Sequence, residues 1–516
     1  MGKLYEFICI ICLKINIIVA YMRHFCILLL SLFFLNAHLF AQNDSITYKY
    51  VKEEYNNFIN DPCVKNASFG ICFRDLGSDK IILSENIDKS LIPASTMKLF
   101  TSFTALSLLG TNFRFKTQLQ YDGYLDPAGN LHGNVYIMGG GDPTFGSHRY
   151  GKKYLPDTLF YQFMKALKSI GIRNIEGSVI GDGSIFNNNM VPYNWSWADV
   201  GNYYGAGVLG LNIFENEYSL TFKPGDSVGK KAIIDKTDPF IPDLQLINYV
   251  GTVNGSASAD IYVLGSPYEN TRRVEGAIAL NDPEETIRGS IPDPEYFTAY
   301  LFYNYLVKNK CIMSGKPAGV RQLSEQNLKV NQNRTTLYTH LSPPLIDILK
   351  LLNTYSINLY AEAFLKMLGT VKYKDGSFAS GARVVKEFLI KNNIDLKGFN
   401  MFDGSGMTRA NTITPRQMSD LLSVINKSKL FDTFMITLPL AGVSGTLSKF
   451  GKETSLENNL RAKTGTMFDV KSYCGFLKNS SGKWFSVVII ANNYTCTTVQ
   501  VQEKIEKMLV KLADTR

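Results

Sequence analysis

Pro93-Ala94-Ser95-Thr96-Met97-Lys98-Leu99-Phe100 decides how this chain is read. Met97, Leu99, Phe100, Phe103 and Leu106 recur with roughly helical spacing, and Pro93 suits a helix start. Ser95 is therefore expected in the first turn of a buried helix, sharing one face with Lys98. Two other pairs, Ser227 with Lys230 and Ser480 with Lys483, have the same spacing. The first lies in a loop between Pro224-Gly225-Asp226 and Gly229 that would hold neither side chain still, and the second in a hairpin turn. A serine hydroxyl is a poor nucleophile until a base removes its proton. A lysine can be that base only where burial or a neighbouring cation lowers its pKa, and Lys98 is placed for this.

Two short motifs follow in order, Ser356-Ile357-Asn358 and Lys463-Thr464-Gly465-Thr466. Ser356 and Asn358 could both face a cleft from a loop or short strand. Ser356 would pass a proton to a leaving amine, and Asn358 would hold Lys98 and a substrate amide. The Lys463 stretch reads as an edge strand beside the site, where Gly465 removes a side chain that would keep substrate backbone away. Lys463 is the second cation and, with Thr464, the expected holder of a carboxylate. The backbone N–H groups of Ser95 and Thr466 are the expected oxyanion donors. Each motif alone arises by chance; their ordered conjunction specifies an active-site serine enzyme.

Around these motifs the chain organises itself. Residues 68–85 read as a hairpin, with Phe69, Ile71 and Phe73 alternating before the turn Gly77-Ser78-Asp79. Residues 472–492 read as another. Val501, Ile505, Met508, Leu509 and Leu512 mark one face of a terminal helix. Strands and helices from both ends must build one α/β (α+β) domain, residues 42–112 and 339–516. The stretch between Lys98 and Ser356 is far too long for a loop. Residues 113–338 are expected to form one or more inserted mixed domains, with Pro343-Pro344 marking the return.

Residues 1–41 carry two apolar runs, the second opening at Met22-Arg23-His24 and ending in Leu39-Phe40-Ala41. This is the pattern of a signal peptide, with cleavage expected after Ala41 and Met22 as an alternative start. The other reading is an uncleaved anchor, although the run is shorter than the ~20 residues a spanning helix wants. Hydrophobic residues make up 45% of the chain, as in globular proteins. The net charge of +9 is spread without the basic blocks or interleaved aromatics of nucleic-acid binders. Cys63, Cys72, Cys311, Cys474 and Cys496 form an odd set with no metal-ligand spacing. Only Cys63 and Cys72 are close enough in sequence to suggest a disulfide, with buried free thiols as the alternative. No metal and no cofactor is expected.

With its motifs placed, the chain resembles the D-alanyl-D-alanine carboxypeptidase/endopeptidase family, the low-molecular-mass class C penicillin-binding proteins. Further resemblance lies in Gly139-Gly140-Gly141-Asp142-Pro143, Gly181-Asp182-Gly183-Ser184-Ile185-Phe186, Trp195-Ser196-Trp197 leading to Tyr203-Tyr204-Gly205-Ala206, Asn358-Leu359-Tyr360-Ala361-Glu362, Asp403-Gly404-Ser405-Gly406-Met407-Thr408-Arg409, and Gly442-Val443-Ser444-Gly445-Thr446-Leu447. The resemblance implies a serine β-lactamase/transpeptidase-like domain, its antiparallel sheet flanked by helices. It implies an exported, periplasmic peptidase, with peripheral attachment to the inner membrane left open. Ser95 would be acylated by peptidoglycan stem peptides, and β-lactam antibiotics would be covalent inhibitors. Asp182 and Phe186 resemble a segment that helps bind the diamino-acid side chain of the stem peptide, the alternative being a plain strand-end turn. Arg409 resembles an arginine near the cleft, the alternative being a surface ion pair. Glu362 could deacylate, as in some β-lactamases, or act structurally. A β-lactamase and a catalytically silent wall-binding protein are the competing functions.

Overall fold

The computed structural model describes residues 48–255 and 260–516, with scattered positions among the first 24. The expected signal sequence lies largely outside the described residues, and its cleavage point wholly so. The frame of the molecule is a five-stranded sheet in the order Leu460–Met467, Val470–Lys478, Trp484–Asn492, Ser68–Asp75, Ile81–Glu85. Every neighbouring pair is antiparallel. The two ends of the chain are joined here, with Ser68 opposite Asn492 and Asp75 opposite Phe485.

Strand alternation sorts side chains between two layers. Ile71, Phe73, Tyr473, Leu477, Val487 and Ile489 share a core with residues of the helices Lys49–Asn60 and Thr498–Ala513. Cys72, Cys474, Phe476, Val488 and Ile490 face a helical half that includes Lys98–Leu109, Leu345–Tyr355, Asn358–Tyr373 and Pro415–Lys427. A sheet covered on both faces has no wet side, which is why Trp484–Asn492 is apolar almost throughout.

The same alternation decides the disulfide. Cys63 bonds Cys496, tying the end of the helix Lys49–Asn60 to the start of Thr498–Ala513. The expected partner, Cys72, is a buried free thiol. It lies in the core on the helical side of the sheet, whereas Cys63 lies in the core on the other side.

The long intervening segment leaves and returns through paired antiparallel strands, Lys116–Tyr121 and Thr335–Leu341. These belong to a mixed five-stranded sheet with Val135–Met138, Val179–Asp182 and Ala318–Gly319. The helices Pro156–Ser169 and Pro294–Lys308 meet through Phe160 and Phe163 against Phe302. Smaller sheets, including Glu217–Lys223 with Ile233–Asp238 and Glu285–Ser290, extend the segment. One apolar core, with Leu119, Ile137, Phe163, Leu220 and Val274, runs through it.

Candidate active site

Ser95 stands on a single turn of 3-10 helix, Ala94–Met97, which runs into the helix Lys98–Leu109. Ala94 is held left-handed, with φ 47°, a conformation that persists only where the surroundings enforce it. They do so from two sides. Gly406, itself at φ 81°, packs so closely on the Ala94 carbonyl that a Cβ would overlap it. Opposite, Ser472 Oγ donates to the Pro93 carbonyl at 2.7 Å. Gly465 leaves the space for this, since a Cβ there would lie 2.7 Å from the Pro93 oxygen. The space a side chain at Gly465 would take is thus occupied by the turn that carries Ser95 and by Ser472.

Lys98 Nζ, fully buried, lies 2.9 Å from Ser95 Oγ and 2.7 Å from both Asn358 Oδ1 and the Ser405 carbonyl. Burial draws its pKa from 10.5 down to about 7, against the opposing influence of Glu362 and Asp403. Near neutral pH a neutral amine is therefore accessible next to the hydroxyl. Ser356 caps the helix Leu345–Tyr355 in a left-handed conformation, φ 61°, and Asn358 opens the helix Asn358–Tyr373. Of the loop and short strand expected, the motif is a loop, reduced to a two-residue elbow between helices with Asn358 already on the second. Lys463 Nζ donates to Ser356 Oγ at 2.9 Å and to the Thr464 carbonyl at 2.7 Å. Burial first, then the neighbouring Lys98 and Lys471, lowers the Lys463 pKa far below the ordinary lysine range.

Ser95, Ser356 and Asn358 border a cleft of about 850 Å³ together with Thr466 and Arg409, whereas Lys98 and Lys463 are fully buried and are not part of its walls. Arg409 Nη1 reaches across to the Phe468 carbonyl at 2.8 Å, just beyond the edge strand. Thr464 is nearly buried and is not part of the walls. Asp182 and Phe186 are not brought to the cleft either. Asp182 is taken by Arg334 at 2.6 Å. Phe186 is core, packed against Gly141 and beneath the Lys366 ammonium.

The intervening segment contributes a different acid. Asn194, Ser196, Asp199 and Tyr204 line the cleft as well. Tyr204 accepts from Asn358 Nδ2 through its carbonyl at 2.7 Å, and its hydroxyl donates to Asp199 at 3.2 Å. Burial raises the Asp199 pKa, and the Tyr204 bond opposes this. Asp403, marked in the sequence only as part of a family-like run, carries no role legible there. It accepts from Trp195 Nε1, the Gly406 and Thr408 amides and Asn411 Nδ2, all within 2.6–2.8 Å. Its loop carries both Gly406 and the Ser405 carbonyl, so Asp403 shapes the surroundings of Ser95 and Lys98 together. The Asp-Gly-Ser-Gly run signals a turn, but its side-chain partners lie too far along the chain to be foreseen.

The chain matches the D-Ala-D-Ala carboxypeptidase 3 (S13) family over residues 51–516. It is 27% identical over 444 residues to D-alanyl-D-alanine carboxypeptidase DacB of Haemophilus influenzae, across 85% of this chain and 88% of that protein. It is 26% identical over 452 residues to a D-alanyl-D-alanine carboxypeptidase of an Actinomadura species, across 85% and 80% of the two chains. The crystal structure of penicillin binding protein 4 from Haemophilus influenzae is similar with a TM-score of 0.76 at 25% identity, covering 89% of this chain and 98% of that one. A match that spans both the sheet with its helices and the long intervening segment means that this chain belongs to the D-Ala-D-Ala carboxypeptidase 3 (S13) family.

Proposed function

We propose that the protein is a serine-type D-Ala-D-Ala carboxypeptidase of peptidoglycan stem peptides, working through an acyl-enzyme on Ser95. The observation that carries this is the buried Lys98 amine 2.9 Å from Ser95 Oγ, with a pKa drawn down to about 7. Neutral Lys98 takes the hydroxyl proton as Oγ attacks the carbonyl between the two D-Ala residues. The Ser95 and Thr466 amides receive the developing oxyanion. Ser356, bonded to Lys463, delivers a proton to the departing D-Ala amine. The proton that Lys98 took makes good the one Ser356 lost, so Lys98 is again neutral; it then takes a proton from the water that attacks the ester and passes it to Ser95 Oγ as the acyl bond breaks. Lys463, buried within the edge strand with its ammonium disfavoured, acts through its bond to Ser356, and Thr466 is the edge-strand group open to a substrate carboxylate.

For the diamino-acid side chain of the stem peptide, Asp199 and Arg409 on the walls suit its cationic and anionic groups. Glu362 is fully buried and is not part of the walls. It therefore offers no water-activating carboxylate, which weighs against a β-lactamase. The Cys63–Cys496 bond fits an oxidising compartment and so export to the periplasm. Among the described residues no helix is long and apolar enough to cross a membrane. Labelled penicillin followed by peptide mapping tests the proposal. The adduct is expected on Ser95 and absent from Ser95→Ala, and an adduct on Ser227 or Ser480 would overturn it. A stable adduct with slow cephalosporin turnover separates a peptidase from a β-lactamase. A silent wall-binding protein would take up neither.

A further inference from the structure

Asn358, Glu362 and Lys366 stand at successive four-residue steps along one face of the helix Asn358–Tyr373. Asn358 holds Lys98. Lys366 donates to the carbonyls of Asn187 and Asn189 at 3.2 and 2.8 Å, fastening the segment that leads into the cleft wall. Glu362, between them, accepts from the Gly404 and Ser405 amides at 2.7 and 2.8 Å, one through each carboxylate oxygen. Two oxygens that both accept are the pattern of a carboxylate, and these bonds oppose the burial and the Asp403 charge that push the Glu362 pKa from 4.5 up to about 8. The far side of the same Ser405 residue presents its carbonyl to Lys98 Nζ at 2.7 Å.

We propose that Glu362 is a positioning residue for Lys98: it fixes the Gly404-Ser405 backbone that receives a Lys98 hydrogen, and its charge sets the pH at which Lys98 becomes a base. The inference rests on Lys98 being the base for Ser95. The charged groups around this pair come from three elements. Asp403 lies on the loop, Lys366 on Glu362's own helix, and Lys463, with Lys471 behind it, on the edge hairpin. Glu362 and Asp403 both favour the protonated Lys98, and Lys463 in turn feels Lys98 as a like charge. In its ionised form Glu362 is one of two anions acting on Lys98 among the described residues, and glutamine cannot take that form. The amine then loses its proton at lower pH.

The test is the rate of penicillin acylation against pH in the full chain. Glu362→Gln is expected to move the ascending limb to lower pH by about half a unit or more, the small end of what a nearby opposite charge does. Glu362→Asp keeps the charge but withdraws it from the two amides. It is expected to leave the limb in place and slow the plateau about tenfold. A folded Glu362→Gln protein labelled on Ser95 with an unmoved limb overturns the inference while leaving the peptidase reading intact. If Glu362→Gln does not fold, Glu362→Asp decides: a wild-type plateau overturns the inference, and a slowed plateau on an unmoved limb supports it. Undiminished acylation of Lys98→Ala would instead sink the underlying reading.

Discussion

Replacing Lys98 by Met should separate what the site does from what it costs the fold. Lys98 is fully buried and its pKa falls from 10.5 to about 7. That gap corresponds to about 5 kcal/mol between the two protonation states. The folded value lies below the unfolded one, so at pH 7 and lower the unfolded chain keeps the proton in water. The folded chain must surrender it or bury the ammonium. The penalty is therefore full below about pH 7, fades as pH rises, and vanishes near 10.5. Methionine has similar length and no charge, so the variant escapes it. Against this, Asn358 Oδ1 and the Ser405 carbonyl lose a donor, at about 1–3 kcal/mol for each buried acceptor left unpaired. The two effects nearly cancel at pH 7, so absolute stability is a poor test. Their pH dependence is a good one. The variant's stability relative to wild type should fall by about 1.4 kcal/mol for each pH unit above 7, because only the wild type recovers. Urea unfolding of both proteins at about pH 6, 7, 8 and 9 measures it. Penicillin acylation should meanwhile drop about 100- to 10,000-fold, the usual worth of a general base. A stability difference that is the same at pH 6 and pH 9 would refute the claim that burial tunes this lysine.

Asp199→Asn should raise KM for a stem peptide with a cationic third residue about 10- to 100-fold, the worth of one charge-assisted hydrogen bond, and change penicillin acylation far less. Equal losses on both would show that Asp199 supports the wall through Tyr204 instead. Cys63→Ser removes a cross-link between positions 433 residues apart. It should lower unfolding stability by about 2–5 kcal/mol while Ser95 is still labelled at room temperature. A urea midpoint equal to that of the oxidised wild type would contradict this.

What was legible in the sequence was local. Alternation in the hairpins and the apolar stripe Val501, Ile505, Met508, Leu509 and Leu512 name faces, and every residue of that stripe is buried. Faces do not name partners. Cys63 pairs with Cys496 rather than Cys72 because the two helices outside the sheet bring it there, and no spacing along the chain encodes that. Asp182 and Asp199 are both acids beside aromatics in the intervening segment. Only the docking of the 194–204 run against the Asn358 helix distinguishes them, and the Arg334 that neutralises Asp182 lies 152 positions away. Ser356 takes a left-handed conformation without glycine or asparagine, so the elbow between the two helices left no turn signal.

The intervening segment is part of the catalytic geometry rather than an appendage to it. It grips the helix Asn358–Tyr373 at three levels. The Tyr204 carbonyl takes Asn358 Nδ2, Glu215 accepts from the Tyr360 hydroxyl at 2.7 Å, and the Asn187 and Asn189 carbonyls take Lys366. Glu215 reaches its partner from a run of three left-handed residues, Phe214, Glu215 and Asn216, at φ 54–57°. Such a run is unfavourable for ordinary side chains. It is held in place by Asn216, which bonds the Ile213 amide, the Gly207 carbonyl and Asn212. Trp195 adds a fourth link through Asp403 to the loop beneath Lys98. Since Asn358 and the Asp403 loop supply two of the three groups around the Lys98 amine, displacing this segment would disturb that amine as well as the cleft wall. In the proposed mechanism substrate recognition and activation of Ser95 are thus physically coupled, because the same buried polar contacts serve both.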